Sequence, residues 1–198
     1  MTIITETKSY RKPDYEIDEM FINRWSPRSF LDKEIPEEVL LTVFEAARWA
    51  PSAYNEQPWR FIIAKTKEER ERFYPFISEF NLSWCKKAPV LVLILSKTTR
   101  NGEFLQSHSF DAGAAWAHLA LQANKCGLIT HPMTGFDFDR ARETLEIPED
   151  YAIEALVAIG YQGEKEALSE KLQEREQPNG RRPIKESLFT GKFGNELK

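Results

Sequence analysis

The sequence predicts an α+β fold in a single domain spanning residues 1–198, and three features lead to this prediction. The length suits one large domain or two small ones, and 41% hydrophobic residues are enough for a packed core. The apolar run 88–95 is typical of a buried central strand, because it is rich in β-branched residues and has a proline near its start. Helical and strand patterns interleave without the strict alternation of a doubly wound parallel sheet, which favours α+β.

Prolines, glycines and acidic residues set the predicted boundaries of the helices. Pro36 and the two glutamates after it are favourable at a helix start, and Pro51 ends that helix because its ring disfavours the helical conformation of the preceding residue. Gly127 supplies the C-cap of a later helix that is rich in small residues and therefore packs tightly. In chain order the predicted elements are a short helix ending near Asn23, a helix at 36–50, a strand at 61–64, a helix at 67–79 disturbed by Pro75, a strand at 88–95, a polar loop at 98–106, a helix at 109–126, a strand at 128–130, a helix from Asp137 or Asp139 to Glu146, and a strand at 152–159.

The last part of the chain has little apolar content. Residues 164–177 are nearly all charged or polar, with only Leu168 and Leu172 at helical spacing, which indicates a solvated helix or loop. Residues 181–194 are too polar to fold alone. We therefore expect residues 181–198 to form a C-terminal extension that lies on another surface, such as that of a partner subunit.

Charge and composition argue against several classes of protein. The 27 basic and 31 acidic residues give a net charge of −4, whereas a nucleic-acid-binding protein more often carries a basic surplus on one face. The run 88–95 is too short to span a membrane, and the N-terminus lacks the apolar core of a signal peptide. Two cysteines cannot form a disulfide framework. We expect a cytoplasmic protein without nucleic-acid or membrane partners.

The motifs give little support to hydrolytic or metal chemistry. His108, His118 and His131 are the only histidines and lack the spacing of metal ligands, so we expect no metal site. The sequence also lacks a nucleophile elbow, a P-loop and a dinucleotide-binding glycine motif. His118 is interpreted as a core histidine, and Cys85 and Cys126 as packing residues within or beside apolar segments.

Three loops place polar residues between strongly patterned elements. Arg24, Ser26 and Arg28 offer charge-assisted donors that suit a phosphate, although a solvated loop explains them equally well. Residues 51–59 form a proline-bracketed loop whose amides can read a planar heterocycle or simply cap a helix. In the segment 131–137, a glycine allows a ligand to approach the backbone or merely serves a turn.

Together these segments resemble motifs of the nitroreductase family of FMN-dependent NAD(P)H oxidoreductases, in the right order over about residues 15–193. The matching motifs are Arg-x-Ser-x-Arg at 24–28, Ala-Pro-Ser-x-x-Asn-x-Gln-Pro-Trp at 50–59, Pro-x-x-Gly-Phe-Asp at 132–137 and Arg-x-Pro at 181–183. The resemblance implies a homodimer with a central, mostly antiparallel sheet flanked by helices and with FMN bound at the interface. Position 134 departs from the pattern, because threonine stands where many members have glutamate.

The resemblance also implies roles for individual residues. Arg24, Ser26 and Arg181 would hold the FMN phosphate, a dianion that needs compensating donors. Arg28 would stand near the flavin N1–C2=O edge, where a cation stabilises the negative charge that the ring gains on accepting hydride. The further cofactor-binding residues that the resemblance implies are Asn81, placed by spacing alone; Pro132, Thr134 and Gly135, a turn that offers the Thr134 N–H to flavin N5; and Pro51, Ser52 and Asn55, which would reach the cofactor of the other subunit.

The implied activity is hydride transfer from NADH or NADPH through FMN to an electron-poor acceptor such as a nitroaromatic or a quinone. The cofactor carries this chemistry, so no side chain is needed as a nucleophile. Two alternatives remain open. One is a flavoenzyme of the same fold with other redox chemistry, such as dehalogenation or ring oxidation, and the other is a flavin-binding protein without turnover.

Overall fold

The structure of the protein is a computed structural model that describes residues 7–197. Strands and helices interleave along the chain, as the sequence predicts. The strands are β1 (Trp59–Ala64), β2 (Val90–Lys97), β3 (Thr99–Arg100), β4 (Glu103–Phe104), β5 (Ile129–Met133) and β6 (Tyr151–Gly160). The α-helices are α1 (Glu19–Asn23), α2 (Glu37–Arg48), α3 (Lys67–Phe73), α4 (Glu79–Cys85), α5 (His108–Lys125), α6 (Phe138–Thr144) and α7 (Glu170–Gln173).

The main sheet has four strands in the order β1-β2-β6-β5, and each neighbouring pair is antiparallel. Residues 90–96 of β2 are all buried, because this strand has a partner on each edge and a hydrophobic layer on each face. This burial explains why the strand appears in the sequence as a continuous apolar run. The predicted α+β fold with an antiparallel sheet flanked by helices is confirmed.

Two hydrophobic layers cover the two faces of the sheet, since successive side chains of a strand point to opposite faces. On one face, Val92 and Ile94 belong to the layer formed with α2 and α5. The small side chains of α5, such as Ala115 and Ala123, are fully buried in this layer. The predicted close packing of this small-residue helix is therefore confirmed.

The opposite face of the sheet carries an aromatic layer that reaches the candidate site. Leu91 and Leu93 of β2 share this layer with Phe30 and Trp84. The Trp84 side chain is 1% exposed, and its ring stacks on the Phe30 ring with centroids 6.3 Å apart. Trp84 also contacts the imidazole of His131, at 4.5 Å between ring centroids. This layer therefore forms the base on which the polar loops rest.

The predicted helix at 67–79 is wrong in its second half. The helix α3 ends at Phe73, and a turn around Pro75 separates it from α4, which the sequence analysis did not predict. Proline cannot donate a backbone hydrogen bond, so it favours the break. Ser78 then caps α4, because its hydroxyl accepts a hydrogen bond from the Asn81 N–H at 3.4 Å.

The predicted polar loop at 98–106 contains the short hairpin β3-β4. Its turn is made by Asn101 and Gly102, both at positive φ (52° and 83°). An Asn-Gly pair is the common choice for a hairpin turn that needs positive φ at both central residues. The Asn-Gly pair therefore predicts a hairpin at a place where the polarity of the segment alone predicts a loop.

The charged segment 164–177 is less solvated than its composition predicts. Leu168 and Leu172 are buried in the aromatic layer, and the side chain of Glu176 is only 7% exposed. Residues 181–197, in contrast, are all exposed in this single chain. Their contact with a partner subunit stays a prediction. Among the helices of the described residues, none has the length and apolar character to cross a membrane.

Candidate functional site

A cavity of about 410 Å³ opens where four parts of the chain meet, and we call it the arginine pocket. Its lining residues are Arg11, Arg24, Trp25, Ser26, Arg28, His131, Arg175, Gln177, Asn179 and Arg181. Five of the ten are arginines, and none is acidic. The structure thus brings together all four residues that the sequence analysis assigned to the 24–28 loop and the C-terminal arginine.

Arg11 joins the segments that form the pocket. Its Nη1 donates hydrogen bonds to the carbonyl oxygens of Ile22 and Arg24, both at 2.7 Å, and its Nε donates to the carbonyl oxygen of Asn179 at 3.0 Å. The fork of a guanidinium suits this task, because its donors point in fixed directions. The side chain therefore holds the N-terminal segment, the 24–28 loop and the C-terminal segment in one arrangement.

The electrostatics of the pocket favour an anion. Burial lowers the pKa of the Arg24 guanidinium, and the positive charge of Arg181 lowers it further. The pKa of Arg11 is lowered by the same two causes and by Arg24. Each arginine is thus partly desolvated beside like charges, which costs free energy until a negative group enters. A phosphate monoester fits this donor set, which includes the Ser26 hydroxyl 3.2 Å from Arg24 Nη1.

Arg28 lies on the side of the pocket that faces the aromatic layer. Its guanidinium carbon is 6.0 Å from the centroid of the Trp84 ring. Burial lowers the pKa of Arg28, and the Glu176 carboxylate acts in the opposite direction. Arg28 therefore differs from Arg24, whose charged neighbour is another arginine.

His131 in the middle of β5 is a pocket residue that the sequence analysis left without a role. Its Nδ1 lies 3.0 Å from the carbonyl oxygen of Pro27. A carbonyl oxygen only accepts, so Nδ1 carries the proton and donates. Burial, followed by the charge of Arg28, lowers the pKa of His131 to about 4. The imidazole is therefore neutral at pH 7 and adds no charge to the arginine pocket.

This neutral histidine gives a test of stability against pH. The folded-state pKa of about 4 lies below the ordinary value of 6.5, so the unfolded chain takes up the proton first as the pH falls. The free energy of unfolding should keep its full value above pH 6.5. Between pH 6.5 and pH 4, titration of His131 should lower it by on the order of 3 kcal/mol. Urea unfolding of the cofactor-free protein between these pH values measures it. His131→Gln should lose less stability over that interval than the wild type, and equal losses would contradict the assignment.

The turn after β5 lies against α4. Asn81 Nδ2 donates a hydrogen bond to the Gly135 carbonyl oxygen at 3.1 Å. A Cβ atom at position 135 would stand 2.6 Å from Asn81 Nδ2, so any other residue would displace the Asn81 side chain from this hydrogen bond. Pro132 pairs with Val157 within β5, and Thr134, directly after the strand, is exposed. The structure therefore places Asn81 beside the 132–135 turn, and its contact with the cofactor, assigned by spacing, stays a prediction.

The loop at 51–57 lies apart, since none of its residues lines the arginine pocket. Tyr54, Asn55 and Gln57 all have positive φ, between 47° and 58°, which is costly for residues other than glycine. The Ser52 hydroxyl accepts a hydrogen bond from the Gln57 N–H at 3.0 Å, and the buried Asp111 carboxylate accepts from the Ala53 N–H at 3.2 Å. Pro51 and Asn55 are exposed. These hydrogen bonds thus hold the loop in a strained backbone conformation, and its exposed residues do not reach the arginine pocket.

The remaining candidates carry no chemistry in this arrangement. Burial raises the pKa of the Cys85 thiol to about 12, which makes it a poor nucleophile, in agreement with its predicted packing role. Cys85 and Cys126 are both free. Within residues 7–197, no group of three or more histidine, cysteine, aspartate or glutamate side chains is arranged to hold a metal ion.

Comparison with known proteins identifies the family of the chain. The family model described as "Nitroreductase family" matches residues 22–84 and 78–161. A solved structure of an oxidoreductase containing FMN superposes with a TM-score of 0.89 at 43% identity, covering 93% of this chain and 96% of that one.

Two curated relatives have lower identity. A protein of Stenotrophomonas maltophilia named "Putative NADH dehydrogenase/NAD(P)H nitroreductase" is 27% identical, covering 73% of this chain and 84% of the relative. An NADH dehydrogenase of Thermus thermophilus is 28% identical, covering 76% of this chain and 89% of the relative. The family model spans the 24–28 loop, the strained 51–57 loop and the 132–135 turn, so the chain belongs to the nitroreductase family.

Proposed function

We propose that the protein is an FMN-dependent oxidoreductase that passes hydride from NADH or NADPH to an electron-poor acceptor such as a nitroaromatic or a quinone. The observation that carries the proposal is the arginine pocket, with five arginines and no acidic residue in its lining. The likeness to an FMN-containing oxidoreductase and the nitroreductase name of a relative support the cofactor and the electron donor.

In this proposal, Arg24, Ser26 and Arg181 bind the FMN phosphate. The charge of Arg181 lowers the pKa of Arg24, so a dianion bound by both arginines removes a repulsion as well as adding hydrogen bonds. Arg11 holds the loop and the C-terminal segment that carry these two arginines. When bound, FMN supplies the hydride acceptor and donor that no side chain of the pocket can supply.

Other residues then orient the ring system. Arg28 faces its N1–C2=O edge and stabilises negative charge there. Asn81 and the turn of Pro132, Thr134 and Gly135 would also hold the ring system, with the Thr134 N–H as the donor to N5. The hydrogen bond between Asn81 and Gly135 supports this grouping, because it fixes the turn against α4.

A homodimer completes the proposed site. Pro51, Ser52 and Asn55 do not line the pocket of their own chain, so we assign them to the cofactor held by the partner. Large apolar side chains remain exposed in the single chain, including Phe110 (83%), Trp49 (70%) and Phe193 (89%). Exposed apolar area on this scale is typical of an interface with another subunit. The two free thiols fit the cytoplasmic location that we also propose.

The cofactor assignment is tested by mass analysis of the flavin that the purified protein releases. We expect FMN and not FAD, because the arginine pocket is a single anion site and the sequence has no dinucleotide-binding glycine motif. FAD, or no flavin after reconstitution, would contradict the proposal. Anaerobic mixing with NADH or NADPH should then bleach the flavin quickly, whereas a binding protein without turnover should leave it oxidised.

The dimer is tested by light scattering of the flavin-loaded protein. We expect a dimer at all accessible concentrations, because obligate interfaces of this kind bury upward of about 2,000 Å². Truncation after residue 183 should weaken the dimer if the exposed tail packs on the partner. A stable monomer that retains its flavin would show that the loop at 51–57 serves no second cofactor.

A further inference from the structure

Glu176 is a buried carboxylate beside the arginine pocket that no motif pointed to. It follows α7 in the charged segment 164–177, and its side chain is 7% exposed. Its Oε1 accepts hydrogen bonds from the backbone N–H groups of Arg28 and Ser29, at 2.7 and 2.9 Å. The carboxylate therefore holds the backbone of the 24–28 loop at the residue whose guanidinium faces the aromatic layer.

One buried side-chain atom of Glu176 and one of Arg28 have no hydrogen-bond partner among the described residues. These atoms are Glu176 Oε2 and Arg28 Nε. Two buried groups of opposite charge stabilise each other, and each is costly once its partner is removed. Glu176 and Arg28 attract one another, whereas the nearby Arg175 opposes the charge on Arg28. The negative charge of Glu176 thus partly offsets the positive charge that Arg28 brings to the pocket.

We propose that Glu176 is a positioning residue for Arg28. It holds the backbone of residues 28–29 and partly offsets the Arg28 charge. Glu176 therefore sets how strongly Arg28 stabilises the reduced cofactor. This inference rests on the proposed placing of FMN, with Arg28 at the ring edge. It also gives a role to the charged segment 164–177, whose buried leucines anchor Glu176 in place.

The variant Glu176→Gln separates the two effects. Glutamine keeps an oxygen that can accept both backbone hydrogen bonds, and it removes the negative charge. The Arg28 charge is then uncompensated, so reduction of the bound flavin becomes more favourable. We expect about a tenfold change in the equilibrium between oxidised and reduced forms, which for a two-electron couple is a rise of about 30 mV in midpoint potential.

The experiment compares the midpoint potentials of FMN-loaded wild type, Glu176→Gln and Glu174→Gln in a dye-coupled reductive titration. Glu174 is exposed and two residues away, so its variant makes the same charge change outside the pocket. A rise for Glu176→Gln and none for Glu174→Gln supports the proposal. A potential that is unchanged or lower in Glu176→Gln, or equally raised in both variants, overturns it.

A second measurement needs no cofactor and stands if Glu176→Gln does not fold. Of the two cations that favour the ionised form of the buried Glu176 carboxylate, Arg28→Gln removes Arg28 and leaves Lys165. Burial already raises the pKa of Glu176, and loss of Arg28 raises this pKa further, so the ionised form then opposes folding.

Because Arg28 also lowers the pKa of His131, the comparison is made in a His131→Gln background. There, the stability lost in Arg28→Gln relative to its parent should be greater at pH 8 than at pH 5.5, by thermal unfolding of the cofactor-free proteins. An equal loss at both pH values overturns the pairing. Failure of the proposed function has a different signature, since wild-type protein would then bind no FMN while this pH dependence would still appear.

Discussion

Replacing Trp84 with alanine should destabilise the protein by about 3–5 kcal/mol, the usual cost of truncating a large buried aromatic side chain. The side chain is 1% exposed and lies between the Phe30 ring and the His131 imidazole. Its removal leaves a cavity under Arg28 as well as under the aromatic layer. Denaturant unfolding of the cofactor-free protein measures the loss of stability.

The variant Trp84→Phe is the matched control. Phenylalanine keeps a ring in the layer and removes the indole N–H, which is buried without a hydrogen-bond partner among the described residues. Removing such an unsatisfied donor recovers part of the packing loss. We expect less than half the cost of the alanine variant. Equal costs for the two variants would mean that ring packing is not what Trp84 contributes.

Replacing Arg24 with alanine should weaken FMN binding by on the order of 1.5–3 kcal/mol, the usual range for a hydrogen bond to a charged group. This corresponds to roughly a tenfold to hundredfold rise in the dissociation constant. The stability of the cofactor-free protein should not fall in parallel, because the substitution removes the repulsion between Arg24 and Arg181 together with the hydrogen bond to Ser26. Fluorescence titration of the cofactor-free protein with FMN measures the affinity.

Arg140→Ala is the control for Arg24→Ala, since Arg140 is an exposed residue of α6 and does not line the pocket. It removes the same charge and should leave the dissociation constant unchanged. The affinity loss in Arg24→Ala should also shrink for riboflavin, which lacks the phosphate. A loss of the same size for riboflavin would place Arg24 at the ring system and not at the phosphate.

Most of the fold could be predicted from local patterns. The apolar run at 88–95 is predictable because complete burial leaves its mark on every residue of the strand. The helix at 109–126 is predictable because its small residues mark the face that packs on the sheet. The break at Pro75 was recognised as a disturbance only, since the sequence does not show that Ser78 starts a new helix against the 132–135 turn. That helix has a tertiary partner, and its pattern is too short to be distinctive by itself.

The candidate site was predictable where a motif concentrates its residues. Arg24, Ser26, Arg28 and Arg181 were identified from the sequence, and the pocket brings them together. Arg11 was missed, because an isolated arginine in a polar segment looks the same whether it binds water or three carbonyl oxygens.

Glu176 was missed for a similar reason. It stands in a run of charges, and only the leucines that anchor this run show that it turns inward. Long-range contacts of single polar residues leave no periodic pattern, so sequence analysis cannot detect them.

The link that Arg11 makes to Asn179 has a consequence for the order of events during synthesis. Every strand of the main sheet is complete once residue 160 has been made, so the sheet and its hydrophobic layers, apart from Leu168 and Leu172, can form on the ribosome. The pocket still lacks Arg175, Asn179 and Arg181 at that stage. Capture of an anionic ligand is thus a late event that follows folding of the nascent chain, and ligand supply cannot guide the earlier steps.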